Sequence, residues 1–253
     1  MSDAQMRTWA EIDLGRLKHN YTALREQLGR DTAVAAVMSG NWVQQGRPAV
    51  TDKWTRARMA LNGGVDLVLE LPTVWAASSA ESFARGAVAL MCRSGVVDTL
   101  CFGSETGELS SLQAAADCLD SPDYPAQLRR ALEGGASFAA ARQAAVERLI
   151  GPAGTALASP NNNLGVEYLR SLRALGSAIR PVTVRREGAA HNSLGKTGEG
   201  FRSATQLRQH LARGAGDAGL SAEDEGGGLG QAARCRSRGG PAPAIRAGGA
   251  AVS

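Results

Sequence analysis

Aromatic residues are scarce: Trp, Tyr and Phe together make up 4% of the 253 residues. Lysine is nearly absent. It occurs only at Lys18, Lys53 and Lys196, and arginine supplies the rest of the basic charge. There is no run of roughly 18 apolar residues, which excludes a hydrophobic helix across a bilayer. The opening stretch, MSDAQMRTWAEID, lacks the apolar segment of a secretory signal. The four cysteines (Cys92, Cys101, Cys118, Cys235) form no C-x-x-C pair, so neither a zinc knuckle nor a dithiol motif is indicated. The histidines are His19, His191 and His210, and none stands at metal-ligand spacing from a cysteine or carboxylate, so no bound metal is expected. No G-x-S-x-G nucleophile elbow occurs. Gly195-Lys196-Thr197 resembles the end of a phosphate-binding loop. The first glycine that loop needs falls at Ala190, without a strand–helix context. These absences describe a soluble, cytoplasmic chain with reduced thiols.

What is present is an ordinary globular composition, 43% hydrophobic and 21% charged. The length suits one large domain or two small ones. The net charge of +4 permits an RNA partner without requiring one. The excess of Arg, Ala, Gly and Pro is what GC-rich codons produce.

Composition changes near Gly214. Residues 214–253 hold 11 glycines, with Leu220, Leu229, Ile245 and Val252 as their only large aliphatic residues. Such a stretch buries too little apolar surface to offset its ordering entropy, and disorder is expected. A flexible tail and DNA read out of frame both account for this composition.

Residues 33–213 read as alternating strands and helices. Strands are expected at 33–38, 66–72, 97–104 and 178–187. Helices are expected at 52–64 (Asp52 as N-cap), 78–95 (Ser78 and Glu81 at capping-box spacing, Gly95 as stop), 108–119, 125–133, 137–150, 164–176 and 203–214. Upstream, a strand at 10–12 and a helix at about 14–28 are expected, with Leu14, Leu17, Tyr21, Leu24 and Leu28 on one face. This alternation implies an α/β fold with a parallel sheet. Ligands of such sheets bind beyond the carboxyl ends of the strands. That points to SGNWVQQGRP, ELPTVWAASSAE and GSETGE.

Those loops hold the candidate residues. Gly40, Asn41, Gln44, Gln45, Gly46 and Arg47 follow the first of these strands and form either a plain polar loop or a phosphate contact. Glu70 ends the second as a functional or ion-paired carboxylate. Gly103, Ser104 and Glu105 end the third, where turn N–H groups suit phosphate or ribose. Three asparagines in SPNNNLGVEY (159–168) serve as caps or as hydrogen-bonding groups for a base. Arg185 and Arg186 end the fourth strand; adjacent strand residues face opposite ways, so at most one is expected to enter a site.

AVMSGNWVQQGRPAVTDKWTRARMALNGGVDLVLELPTVWAASSAESFARGAVALMCRSGVVDTLCFGSE strongly resembles the tRNA(Met) cytidine acetate ligase family of predicted nucleotidyltransferases. SPNNNLGVEYLRSLRALGSAIRPVTVRREGAAHNS and FRSATQLRQHL resemble later blocks of that family. The resemblance spans about residues 33–213. It implies a Rossmann-like nucleotidyltransferase fold. It also implies use of ATP, with Mg, to form acetyl-adenylate, and acetylation of the wobble cytidine of elongator tRNA(Met). By motif, Gly103, Asn162 and Arg186 match ATP-contacting positions.

The family opens with a His-x-Gly-His phosphate motif. Here Arg16, Leu17, Lys18 and His19 stand opposite it, so only His19 matches a catalytic histidine. Impaired activity is the expectation. Residues 7–37 instead resemble the start of alanine racemases (TWAEIDLGRLKHNY). The strand that would carry the pyridoxal phosphate lysine reads AVAAVMSGNW, without lysine, so neither pyridoxal phosphate nor racemase activity is expected. Three units follow: a racemase-like strand–helix segment at 1–32, a nucleotidyltransferase-like α/β domain at 33–213, and a disordered tail at 214–253. The alternative reading is an inactive nucleotide- or RNA-binding remnant, with Arg47, Arg56, Arg58, Arg185 and Arg186 as phosphate contacts.

Overall fold

The computed structural model describes residues 12–13, 22, 32–186, 220–221 and 232–235. Its strands are β1 (Ile12–Asp13), β2 (Ala33–Ser39), β3 (Trp42–Val43), β4 (Arg47–Pro48), β5 (Leu67–Leu71), β6 (Val97–Ser104), β7 (Arg180–Arg185), β8 (Leu220–Ser221) and β9 (Ala232–Cys235). Its α-helices are α1 (Lys53–Asn62), α2 (Thr73–Ala76), α3 (Ala80–Ser94), α4 (Leu109–Leu119), α5 (Tyr124–Glu133), α6 (Phe138–Ile150) and α7 (Pro160–Ala174). A 3-10 stretch, Gly151–Ala158, links α6 to α7.

The main sheet has five strands in the order β5-β2-β9-β6-β7. β2 pairs parallel with β5, and β6 pairs parallel with β7. β9 lies antiparallel between β2 and β6, so the other four strands run the same way. Polarity and helical connections make this the expected α/β architecture.

Strand β2 shows why the sheet is central. Side chains alternate along it, and both faces are covered. Val34, Ala36 and Met38 pack with Ala60 and Val65 on the α1 side. Val37 joins the larger core on the other side, with Phe83, Val88, Leu100, Phe102, Leu112, Val166 and Tyr168. With few aromatic rings available, small residues let helices approach closely: Ala84, Ala87, Ala115 and Ala116 are all fully buried. Phe102 and Tyr168 pack as a tilted pair, with ring centroids 5.5 Å apart.

Local signals account for most boundaries. Asp52 caps α1, accepting from the Trp54 and Thr55 amides at 3.0 Å each. Gly95 ends α3 at φ 69°. Three details depart from expectation. The cap of α3 is Ser79, whose hydroxyl accepts from the Ser82 amide, while Ser78 donates to the Trp75 carbonyl and closes the unanticipated turn α2. Helix α7 begins at Pro160 rather than Leu164, because the fixed φ of proline suits a first helical position and Glu105 supplies its cap from another loop. Of the first strand, expected at 10–12, the structure describes Ile12–Asp13, which pairs parallel with Leu220–Ser221 outside the main sheet.

Residues 214–253 were expected to lack order. The structure describes only two pieces of that stretch, β8 and β9, both strands. Four small or flexible residues can enter a slot between two formed strands, because ladder hydrogen bonds need only backbone. The helices expected at 14–28 and 203–214 lie outside the described residues, apart from Thr22, which is helical. Among the described residues no helix is long and apolar enough to cross a membrane.

Candidate functional site

The β2–β5 and β6–β7 halves diverge at the middle of the sheet, the usual ligand position in an open α/β fold. β9 fills only the lower part of that junction. It pairs with Ala33–Ala36 on one side and with Val97–Cys101 on the other. The carboxyl ends, Val37–Ser39 and Phe102–Ser104, have no described strand between them. Strand spacing of roughly 4.8 Å places these ends about 10 Å apart. Two clusters of polar side chains flank this notch.

The first joins β6, β7 and α7. The buried Asn162 Oδ1 accepts from the Glu105 amide (2.8 Å), the Thr106 amide (3.2 Å) and the Thr106 hydroxyl (3.4 Å). In return, Glu105 Oε2 accepts from the Asn162 amide (2.8 Å), and Oε1 accepts from the Asn161 amide (3.2 Å) and Nδ2 (2.8 Å). A carboxylate at a helix start satisfies orphan N–H groups and complements the helix dipole. Thr183 donates to the Ser104 hydroxyl (2.7 Å), which accepts from the Gly107 amide (3.0 Å). The Arg186 amide donates to the Ser104 carbonyl at 2.8 Å.

The end of β6 and the turn after it each carry a glycine set against an arginine side chain. A Cβ on Gly103 would lie 3.0 Å from Arg186 Cγ, and one on Gly107 only 2.6 Å from Arg185 Cβ. The two arginines therefore flank the same loop from opposite ends. Arg186 is exposed and forms no ion pair among the described residues. Gly103, Asn162 and Arg186, matched by motif alone, thus meet in one place. Of the turn read from sequence as a phosphate or ribose site, the Glu105 amide is already engaged within the protein, as are the Thr106 and Gly107 amides that follow it. Asn162 Nδ2 donates to no described group although the residue is 2% exposed.

The second cluster joins β2, β5 and α1. Glu70 pairs with Lys53 Nζ at 2.8 Å, and its Oε1 crowds Gly40 so closely that a Cβ there would lie 2.2 Å away. Of the two roles open to Glu70, the structure shows ion pairing. Arg56, offered above as a phosphate contact, is 6% exposed and donates to the Gly40 carbonyl at 2.8 Å. It fixes the loop from beneath. Asn41 Oδ1 accepts from the Lys53 amide at 2.9 Å. Arg47 is exposed on the β3–β4 hairpin.

Lys53, Thr106 and Thr183 were not picked out from sequence. Lys53 meets Glu70 only because α1 brings the chain back to β5, and no local motif announces that pairing. His19 lies outside the described residues, as do His191 and His210. Among the described residues no three metal-ligating side chains gather. Within β6, burial pushes the Cys101 thiol up to about 12, which keeps it protonated and unreactive.

The sequence model of the HIGH Nucleotidyl Transferase family matches residues 18–224. A tRNA(Met) cytidine acetate ligase of Caldanaerobacter subterraneus subsp. tengcongensis is 49% identical over 182 residues, covering 70% of this chain and 45% of the relative. That of Syntrophotalea carbinolica is 46% identical over 200 residues, covering 78% and 47%. The crystal structure of apo Thermotoga maritima TmcAL superposes with a TM-score of 0.73 at 35% identity, over 85% of this chain and 55% of that one. The form of the same protein bound with alpha-thio ATP gives 0.68 at 39% identity, over 78% and 47%. The chain spans about half the length of the curated relatives it matches. Family match and fold agree, and the chain belongs to the HIGH nucleotidyltransferase family.

Proposed function

We propose that this chain binds ATP, with its Mg, at the carboxyl ends of β6 and β7, and that its chemistry is acetate activation for acetylation of the wobble cytidine of tRNA(Met). The observation that carries this reading is the convergence of Gly103, Asn162 and Arg186 around one loop. Gly103 leaves room for a nucleotide to approach the backbone. Asn162 keeps a buried amide donor for a base or ribose acceptor. Arg186 is an exposed guanidinium with no ion-pair partner among the described residues, suited to phosphate. The relatives' name, tRNA(Met) cytidine acetate ligase, and the alpha-thio ATP in one neighbour support the same substrates.

In this reading an acetate oxygen attacks the α-phosphorus, the bond to the β-phosphate oxygen breaks, and pyrophosphate leaves. The exocyclic amine of cytidine then attacks the acetyl carbon, AMP departs, and the amine gives up a proton. Charge builds on the phosphates in the first step, where Arg186 acts by electrostatic stabilisation. His19 is the residue assigned to the phosphate motif. A lysine (Lys18) stands where that motif has glycine, and a side chain at that position would crowd the phosphates, so the expected rate is low. A cytoplasmic site of action fits a tRNA substrate.

A second reading, an inactive nucleotide- or RNA-binding remnant, is favoured by that altered motif. Two measurements on the purified chain separate them. Thermal unfolding with Mg-ATP reads binding, and acetate-dependent ATP–pyrophosphate exchange reads chemistry. An upward shift with measurable exchange supports the ligase reading. A shift without exchange supports the remnant, and no shift at all sinks both nucleotide readings.

A further inference from the structure

Three of the chain's four tryptophans lie near one another on the surface, in a protein otherwise poor in aromatic rings. Trp42 is 48% exposed, Trp54 67% and Trp75 37%, with Val74 beside them at 74%. Trp42 follows Asn41, and Asn41 Oδ1 holds the Lys53 amide next to Trp54. α2, which carries Trp75, packs against β3, which carries Trp42. The Trp54 and Trp75 rings are held in place. Lys53 Nζ lies 5.2 Å from the Trp54 ring centroid while anchored to Glu70. Trp75 sits against Gly86 so closely that a Cβ there would lie 2.5 Å from its Cγ. Exposed apolar rings with a charged rim mark an interaction surface.

The rim points to a polyanion. Arg47 is exposed on the β3–β4 hairpin, and Arg58 is exposed four residues after Trp54, on the same side of α1. Neither forms an ion pair among the described residues. The carboxylates close by are committed: Asp52 caps α1, and Glu70 neutralises Lys53. Pre-positioned rings with unpaired guanidinium groups suit unstacked bases and the phosphates between them. A duplex hides its bases and offers nothing to stack.

Position supplies the remaining argument. This patch follows the carboxyl ends of β2 and β5, and the Gly103–Asn162–Arg186 loop follows those of β6 and β7, on the same edge of the same sheet. A base held on the patch lies at the same sheet edge as a nucleotide held at the loop.

We propose that Trp42, Trp54 and Trp75, with Arg47 and Arg58, form a stacking platform for the splayed bases of a single-stranded RNA loop. The inference deepens the proposed function by naming where its RNA substrate docks, and its test reads independently of acetate activation. Fluorescence anisotropy with the full chain would compare a labelled RNA stem-loop with a blunt duplex of equal length. The stem-loop is expected to bind more tightly. Trp42→Ala and Trp54→Ala should each weaken it roughly five- to a hundredfold, and Trp→Phe at the same positions should retain most of the affinity. The thermal shift given by Mg-ATP should not change, which also shows that each variant folds. Arg47→Glu with Arg58→Glu, confined to the surface, serves as a second probe and should abolish binding at moderate salt.

Unchanged affinity in these variants, equal binding of duplex and loop, or no RNA binding would overturn the platform. So would a self-associating chain whose dimer, rather than its RNA complex, is lost on Trp54→Ala. Ring-dependent RNA binding without pyrophosphate exchange would retain the platform and reject only the ligase reading. Exchange with ring-independent RNA binding would do the reverse.

Discussion

Glu105 and Asn162 each hold the other's backbone: the Glu105 carboxylate accepts from the Asn162 amide, and the Asn162 side-chain oxygen accepts from the Glu105 amide, both at 2.8 Å. This reciprocal clamp ties the end of β6 to the start of α7. It brings the strand that carries Gly103 and the helix that carries Asn162 to the same turn, Glu105–Gly107. Glu105→Ala removes the helix cap and leaves the Asn161 and Asn162 amides unsatisfied. The expected cost is about 1–3 kcal/mol in urea unfolding. Mg-ATP should also stabilise the variant less than the parent chain. A variant with unchanged midpoint and unchanged ATP shift would show that the clamp positions nothing.

The two glycines of this loop predict opposite phenotypes. At Gly103 the neighbour of a new methyl is the flexible Arg186 side chain, 3.0 Å away. Gly103→Ala should therefore change stability by less than about 1 kcal/mol. It should still weaken ATP, because Arg186 must move. At Gly107 φ is +68° and the neighbour is Arg185 Cβ at 2.6 Å. Gly107→Ala should cost about 1–2 kcal/mol from the left-handed backbone alone, with the close contact adding to it. Paired urea melts and ATP titrations check both. Equal losses of stability at the two positions would refute the distinction.

Local signals carried most of the fold. The Asp52 cap, the Gly95 stop and the continuous apolar run of 33–38 each act through neighbours in sequence, so they could be read there. What the chain conceals is non-local. The α7 start at Pro160 depends on a carboxylate 55 residues upstream (Glu105), which no capping box reveals. The Lys53–Glu70 pair depends on the return of α1 to β5. β9 carries no apolar pattern of its own, since Ala232–Cys235 enters the sheet through backbone pairing with strands nearly 200 residues earlier and about 130 earlier. The candidate site was legible through motif resemblance. Composition alone offered only polar loops at strand ends, and it suggested free turn amides where the structure shows engaged ones.

A buried ion network supports α7 from behind. Glu167 is 3% exposed, and its two oxygens accept from Arg142 and Arg170, the latter at 3.0 Å. Arg142 also donates to Asn163, and Arg170 donates to Asp120 at 2.8 Å. Burial works against the charge on Arg170, but the Asp120 hydrogen bond and the Glu167 and Asp120 charges outweigh it and raise its pKa. Glu167→Ala would strand the partly buried Arg142 guanidinium and leave Arg170 with Asp120 alone. A loss of about 3–5 kcal/mol is expected, enough to lower the folded population of a marginal domain. Glu167→Met, which fills the volume without restoring charge, should recover little while Arg142 remains. Adding Arg142→Leu to Glu167→Met should recover part of the loss, as expected when the cost lies in an unpaired charge. Denaturant melts of the three variants decide this, and equal stability of the single and double variants would reject it.

Asp52 makes stability depend on pH in a predictable sense. The Thr55 hydroxyl and amide hold its carboxyl below the ordinary 3.8, with the Trp54 amide adding to the effect. A carboxylate with a depressed folded pKa binds fewer protons folded than unfolded. Its contribution is therefore complete above the unfolded value and disappears as pH falls through the folded one. Asn can also cap a helix, so Asp52→Asn removes the charge and keeps a capping side chain. The parent chain should be the more stable of the two near neutral pH, since the negative charge also complements the start of α1. That advantage should shrink from about pH 5 downward and vanish below the folded pKa. Thermal unfolding of both chains across that range measures it. An advantage that persists unchanged in strong acid would mean that the Asp52 charge is not its source.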